Sequence, residues 1–121
     1  MTAPLIPAAD AAEEVWTTER CFIREIVNVD RIPEWSLART RVEPGVTTEL
    51  HRLTVAEWYL IKHGEGRMEV GDYPPFDVVP GDTVAIPAGT SQRITNSGSE
   101  DLVFDCLCVP RFTPESYTAL E

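Results

Sequence analysis

The sequence predicts an all-β barrel or sandwich, and three observations carry that prediction. The 121 residues contain many short apolar runs, turn residues separate these runs at intervals of about eight to twelve positions, and no strand–helix–strand alternation is visible. The length and the 43% hydrophobic content provide for one core but not for two. We therefore expect a single domain built from short strands.

Nine segments have the composition of β-strands, and clusters of Gly, Pro, Asn and Asp close most of them. In chain order the predicted strands are 21–27, 36–42, 47–53, 57–62, 67–70, 76–79, 83–86, 92–95 and 102–109.

The two ends of the chain differ from this pattern. Residues 1–20 are predicted to be an N-terminal arm, in which 8–15 forms a brief helical turn or stays irregular. Residues 21–112 are predicted to form the barrel or sandwich itself. Residues 113–121 are predicted to form a short C-terminal helix, because Thr113 suits the N-cap and Pro114 the first helical position.

Charge and composition exclude several classes of function. The formal net charge is −10 at pH 7, which disfavours nucleic acid and anionic membranes, since both are bound by basic surfaces. No apolar run approaches the roughly 20 residues of a transmembrane helix, and the N-terminus lacks the features of a secretory signal. The three cysteines are an odd number and are expected to be thiols. A cytoplasmic protein is expected.

Two stretches carry recognisable spacing. In the first, five residues separate Gly45 from His51, and six residues separate Glu57 from Gly64. In the second stretch five residues separate Gly81 from Pro87, and Gly89, Gln92 and Asn96 follow with one, two and three residues between successive positions. Together they resemble the two motifs of small single-domain bacterial cupins, and the resemblance covers about residues 20–112. It implies a double-stranded β-helix, the cupin jelly-roll barrel, with short helical or irregular segments at its ends.

The resemblance also implies a metal site. In metal-binding cupins the first motif supplies two His and one Glu, and the second motif supplies one further His. Here two of these positions hold His51 and Glu57, whereas the other two hold Leu53 and Gln92. The implied ligand set is therefore His51, Glu57 and Gln92, which would suit a divalent transition metal such as Mn²⁺, Ni²⁺, Fe²⁺ or Zn²⁺ with waters completing its coordination.

A metal-free alternative is equally open. In it the same three side chains form a hydrogen-bonded polar cluster, because buried polar groups need partners. Burial would raise the pKa of Glu57, which would then act as a general base with His51 as its partner acid.

Four further residues are candidates for the pocket. Tyr59 shares the face of Glu57 two residues earlier and is expected to donate a hydroxyl near it, although aromatic packing is an alternative. Arg39 and Arg41 share one strand face, where they would either hold an anionic substrate group or be solvated. Asp105 interrupts an apolar strand and is a candidate second carboxylate in the pocket.

The function predicted from these features is a metal-assisted enzyme of the isomerase, lyase, decarboxylase or oxygenase type, acting on a small polar metabolite. The alternative is a non-catalytic small-molecule-binding cupin without metal. Because many small cupins pair, the resemblance further implies a homodimer.

Overall fold

A computed structural model describes residues 4–121, and it is almost entirely β-structure. None of the helices among these residues has the length and apolarity needed to cross a membrane. The eleven strands are β1 (Val15–Trp16), β2 (Phe22–Val27), β3 (Ser36–Val42), β4 (His51–Leu53), β5 (Ala56–His63), β6 (Gly66–Val70), β7 (Phe76–Val78), β8 (Thr83–Ile86), β9 (Gln92–Asn96), β10 (Leu102–Val109) and β11 (Tyr117–Ala119).

The strands form two sheets that pack face to face. The first sheet has the order β1-β2-β3-β10-β5-β8 and the second β11-β4-β9-β6-β7, and their pairings are antiparallel. Strands that are distant in sequence are neighbours, as β3 and β10 are, so both sheets wind around one interior. This is the jelly-roll barrel that the two motifs predict.

Alternation along the strands decides which side chains enter the barrel. On β5 the buried residues are Glu57, Tyr59 and Ile61, while the residues between them are partly exposed. The main core combines apolar side chains from both sheets, among them Phe104 from β10 and Met68 from β6. That core fills one end of the barrel. Toward the other end, polar inward residues such as His51 and Glu57 stand beside apolar ones such as Leu53, and a cavity lies among them.

The predicted turn residues shape the corners between strands. Gly64 connects β5 to β6 with φ of +82°, a conformation that side chains rarely adopt. A Cβ atom at this position would lie 2.5 Å from the carbonyl oxygen of Asp101. The corner therefore requires glycine for both its backbone angle and its close approach to the neighbouring chain.

The predicted C-terminal helix is wrong. Residues Pro114–Ser116 make one 3-10 turn, in which Ser116 Oγ accepts a hydrogen bond from the backbone N–H of Thr113 at 3.3 Å. The chain then continues as β11, which pairs with β4. The local capping signal is real, but pairing along the edge of β4 and burial of the Tyr117 ring outweigh helix propensity beyond that turn.

The N-terminal arm contains a brief helical turn, one of the two alternatives for 8–15, and also a strand that the sequence does not predict. Its first three residues lie outside the described part of the chain. A 3-10 turn covers Ala8–Asp10, and β1 then pairs with β2 at the edge of the first sheet. Residues between these two elements and just after β1 line the cavity, so the arm belongs to the site as well as to the sheet.

Candidate functional site

The cavity lies inside the barrel at the end where β4 and β5 begin, and it has a volume of about 350 Å³. This size falls in the range of small-molecule pockets, which is about 300 to 1,000 Å³. Its floor contains His51, Glu57 and Tyr59, and its walls include Thr40 and Phe104. Inward-facing side chains of both sheets therefore line the cavity, and polar groups lie at its floor, next to the apolar core.

Glu57 is the central group of the floor. It is 7% exposed, and its Oε1 atom has no hydrogen-bond partner. Its Oε2 atom lies 3.5 Å from the Cys108 thiol, a weak donor. Burial raises the pKa of Glu57 to about 7, against the opposing effect of the nearby Cys108 and Gln92 side chains. The carboxyl is thus poised to gain or lose a proton near neutral pH.

Tyr59 and Gln92 join the two sheets, with Tyr59 in the lining of the cavity and Gln92 outside it. The Tyr59 hydroxyl donates a buried hydrogen bond of 2.7 Å to Gln92 Oε1. The ring of Tyr59 stacks on Phe104 with 4.4 Å between the ring centroids. Burial raises the pKa of Tyr59 far above its usual range, so the hydroxyl remains protonated. The pair fixes the amide of Gln92 with its oxygen already engaged.

His51 is held in one tautomer by the backbone. Its Nδ1 lies 2.8 Å from the carbonyl oxygen of Glu49, and because a carbonyl only accepts, Nδ1 carries the proton. Burial lowers the pKa of His51, so the ring is neutral and Nε2 is an acceptor. The ring stacks on Tyr117 at 4.7 Å, and the Tyr117 hydroxyl donates to a carboxylate oxygen of Glu49.

The donor set does not fit the metal site that the resemblance implies. Leu53 is buried in the second core cluster where an imidazole is expected, and it has no donor atom. Gln92 lies opposite His51 in the β4–β9 pair, but its carbonyl oxygen accepts the Tyr59 hydrogen bond. Within residues 4–121 no group of three or more His, Cys, Asp or Glu side chains is arranged to hold a metal ion. His51 and Glu57 are the two strong ligands that remain.

Three of the residues predicted to bind substrate lie elsewhere. Arg39 and Asp105 are adjacent on β3 and β10 and form an ion pair of 2.8 Å on the outer face. Arg41 also points outward, where it pairs with Glu14 and Asp101 and covers the Phe22 ring. None of the three lines the cavity. The inward positions of β3 are Ser36, Ala38 and Thr40, which are small enough to leave the cavity open.

Two residues of the site come from the chain ends and were missed. Glu19 follows β1 and lines the cavity, and burial together with the nearby Glu49 raises the pKa of Glu19 to about 7. Tyr117 reaches the cavity from β11. Glu19 lies in a stretch with no periodic pattern, so nothing in the sequence signals its position. For Tyr117, the aromatic residue following the cap was a usable sign of a strand.

Comparison with other proteins relates this geometry to known barrels. The uncharacterized protein MJ1618 of Methanocaldococcus jannaschii is 35% identical over 108 residues, which are 87% of this chain and 86% of that protein. Among solved structures, oxalate decarboxylase from Bacillus subtilis superposes with a TM-score of 0.82 at 24% identity over 95% of this chain. The match takes in 31% of the decarboxylase, so this chain spans about a third of that protein.

A second solved structure is similar in size as well as in fold. A variant of Streptomyces PAC13 with uridine has a TM-score of 0.79 at 16% identity, covering 100% of this chain and 93% of that one. The model of the cupin domain family matches residues 38–110, which is more than half of the chain and includes both motifs. The chain belongs to the cupin family.

Proposed function

We propose that this cupin binds a small organic molecule in the barrel cavity and transfers a proton to or from it through Glu57, without a metal ion. The observation that carries the proposal is the buried Glu57 carboxyl, whose Oε1 atom has no partner within the protein. A buried polar group without a partner is costly to keep. Its position on the floor of a cavity is explained if a ligand supplies the missing contact.

The pKa of Glu57 supports proton transfer as the chemistry. A general acid or base works best when its pKa lies near the operating pH, and burial raises that of Glu57 to about 7. As a carboxylate, Glu57 takes a proton from a C–H or O–H group of the ligand. As the resulting carboxylic acid, it returns that proton to another atom of the ligand or to a leaving group. These two steps make an isomerase or a lyase.

The neighbouring side chains have matching roles. The neutral His51 offers Nε2 as an acceptor, which orients a ligand hydroxyl or receives a second proton. The Tyr59–Gln92 pair holds the floor rigid beside Glu57. The uridine in the PAC13 structure supports a small organic molecule as the occupant of a barrel with this fold.

A two-stage experiment tests the proposal. A small-molecule library is first screened for binding by ligand-observed NMR, and the compounds that bind are then incubated with the protein in D₂O. We expect deuterium to enter one carbon position of a binding compound, or product to form, equally before and after treatment with EDTA. Glu57→Gln should lower the rate by about 100-fold or more, as expected for loss of a general acid–base group.

The matched control is Glu65→Gln, which removes an exposed carboxylate at the turn between β5 and β6, away from the cavity. This variant should exchange at the wild-type rate. Binding without deuterium exchange or turnover would refute the proton-transfer step and would indicate a non-catalytic, ligand-binding cupin. Activity that EDTA abolishes and a divalent metal restores would instead support the metal-assisted enzyme predicted from the sequence.

A further inference from the structure

The charges around the cavity all have the same sign. Four glutamates line it, and its lining contains no Lys or Arg; the four are Glu13, Glu19, Glu25 and Glu57. The one imidazole of the lining, His51, is kept neutral by burial, which lowers its pKa. Arg39 and Arg41 could have balanced these carboxyls, but both point outward and pair with other acids. The cavity therefore presents carboxyl groups with no cation to compensate them.

The raised pKa values of two of these carboxyls have the same physical origin. Burial raises the pKa of Glu19 and that of Glu57 to about 7, and Glu49 adds to the effect at Glu19. A cation nearby would oppose both shifts by favouring the ionised form. Both shifts agree with the absence of Lys and Arg from the cavity lining.

Aromatic rings stand beside the carboxyls. Tyr59 and Phe104 stack on one side of the cavity, and Tyr117 with the neutral His51 stacks on another. Aromatic faces attract ammonium groups through the ring quadrupole, with the strongest effect where water is excluded. Carboxylates combined with aromatic walls are a suitable environment for a protonated amine.

We propose that the ligand of the cavity carries an ammonium group on a small, largely apolar body, with the ammonium donating to the Glu57 carboxyl. This inference rests on the proposed function and names the class of its substrate. Two observations carry it independently: a 7% exposed Glu57 carboxyl in the cavity lining with one oxygen unpartnered, and a lining whose charged residues are all acidic and whose walls include aromatic rings. Oxalate, named in the structural neighbour, would meet carboxyls of its own sign here.

Three probes of nearly equal shape separate charge from size. They are 2-phenylethylamine, 2-phenylethanol and phenylacetate, which are respectively cationic, neutral and anionic at neutral pH. Binding of each is measured by NMR titration to wild-type protein, to Glu57→Gln, to Glu19→Gln and to the control Glu65→Gln. We expect the amine to bind most tightly and phenylacetate most weakly, with a difference of at least about tenfold between them, or about 1.4 kcal/mol.

The variants test which carboxyl groups recognise the positive charge of the ligand. Glu57→Gln and Glu19→Gln should each reduce the preference for amine over alcohol, while Glu65→Gln leaves it unchanged. An alcohol or carboxylate that binds as tightly as the amine would overturn the amine inference and leave the proposed function standing. If none of the three probes binds and the library screen also finds no ligand, both the inference and the proposed function fail.

Discussion

Replacing Glu57 with glutamine should stabilise this protein at alkaline pH and not at acidic pH. The pKa of the carboxyl is about 7 in the folded protein against an ordinary value of 4.5. Below about pH 4.5 both folded and unfolded states hold the proton, so ionisation of Glu57 then contributes nothing to stability. Between the two values the unfolded chain releases its proton first, and the free energy of unfolding falls as pH rises.

The magnitude follows from the same two values. At about 1.4 kcal/mol for each pKa unit, a rise from 4.5 to about 7 costs the folded state at most about 3.5 kcal/mol above pH 7. Glutamine has nearly the same shape and no charge to bury. The cost of its own buried amide does not change with pH, so the pH-dependent difference between the two proteins isolates the carboxyl.

Urea unfolding followed by tryptophan fluorescence provides the assay, at several values from about pH 5 to about pH 8.5. The difference in free energy of unfolding, variant minus wild type, should grow with pH across this range. Glu65→Gln should give a difference that stays constant, because its carboxylate is exposed. Parallel pH profiles for wild type and Glu57→Gln would refute the conclusion that the Glu57 carboxyl is buried without a compensating cation.

Three further predictions concern the surrounding residues. Tyr59→Phe removes the donor to buried Gln92 Oε1 and should lower the free energy of unfolding in urea by about 1–3 kcal/mol. A change within error would mean that the hydrogen bond is not formed. The double variant Leu53→His/Gln92→His supplies both absent imidazoles and should bind Co²⁺ with a visible absorption band that wild type lacks. An equally strong band in wild type would show that the residues present already form a metal site. Arg39→Ala breaks the ion pair with Asp105, in which the arginine side chain is 50% exposed. It should change the free energy of unfolding by less than about 1 kcal/mol and leave ligand binding unchanged. Loss of binding would mean that Arg39 contributes to the binding site.

The barrel was predictable because its signals are local. Gly and Pro at the corners, together with alternation on strands such as β5, determine where strands end and which residues point inward. The same alternation correctly grouped Glu57 with Tyr59. The motif spacing added His51 and Gln92. His51 lines the cavity with Glu57 and Tyr59, whereas Gln92 lies outside the lining and is hydrogen-bonded to Tyr59.

The faces of β3 and β10 could not be assigned in this way. On β3 both faces carry polar residues, Thr40 on one and Arg39 and Arg41 on the other, so alternation does not say which face is buried. On β10 both faces are apolar around Asp105. The choice is made by the neighbouring strands, because small side chains fit the interior and the long arginines find acidic partners outside.

The terminal strands could not be predicted from the sequence for a different reason. β1 has two residues and β11 three, too few for any periodic pattern. Each forms because a sheet edge is available beside it, and that edge exists only once the barrel has folded. Glu19 follows β1 and could not be placed from the sequence, whereas the aromatic Tyr117 after the cap was a sign of a strand.

The central claim is that Glu57 is a buried acid–base group that functions without a metal. A ¹³C NMR titration of its side-chain carboxyl, in metal-free protein and again with one equivalent of Mn²⁺ or Zn²⁺, tests that claim most directly. The midpoint should lie near pH 7 and remain there when Zn²⁺ is added, and Mn²⁺ should cause no selective broadening. A midpoint near the ordinary value of 4.5, or one displaced well downward by stoichiometric Zn²⁺, would contradict it.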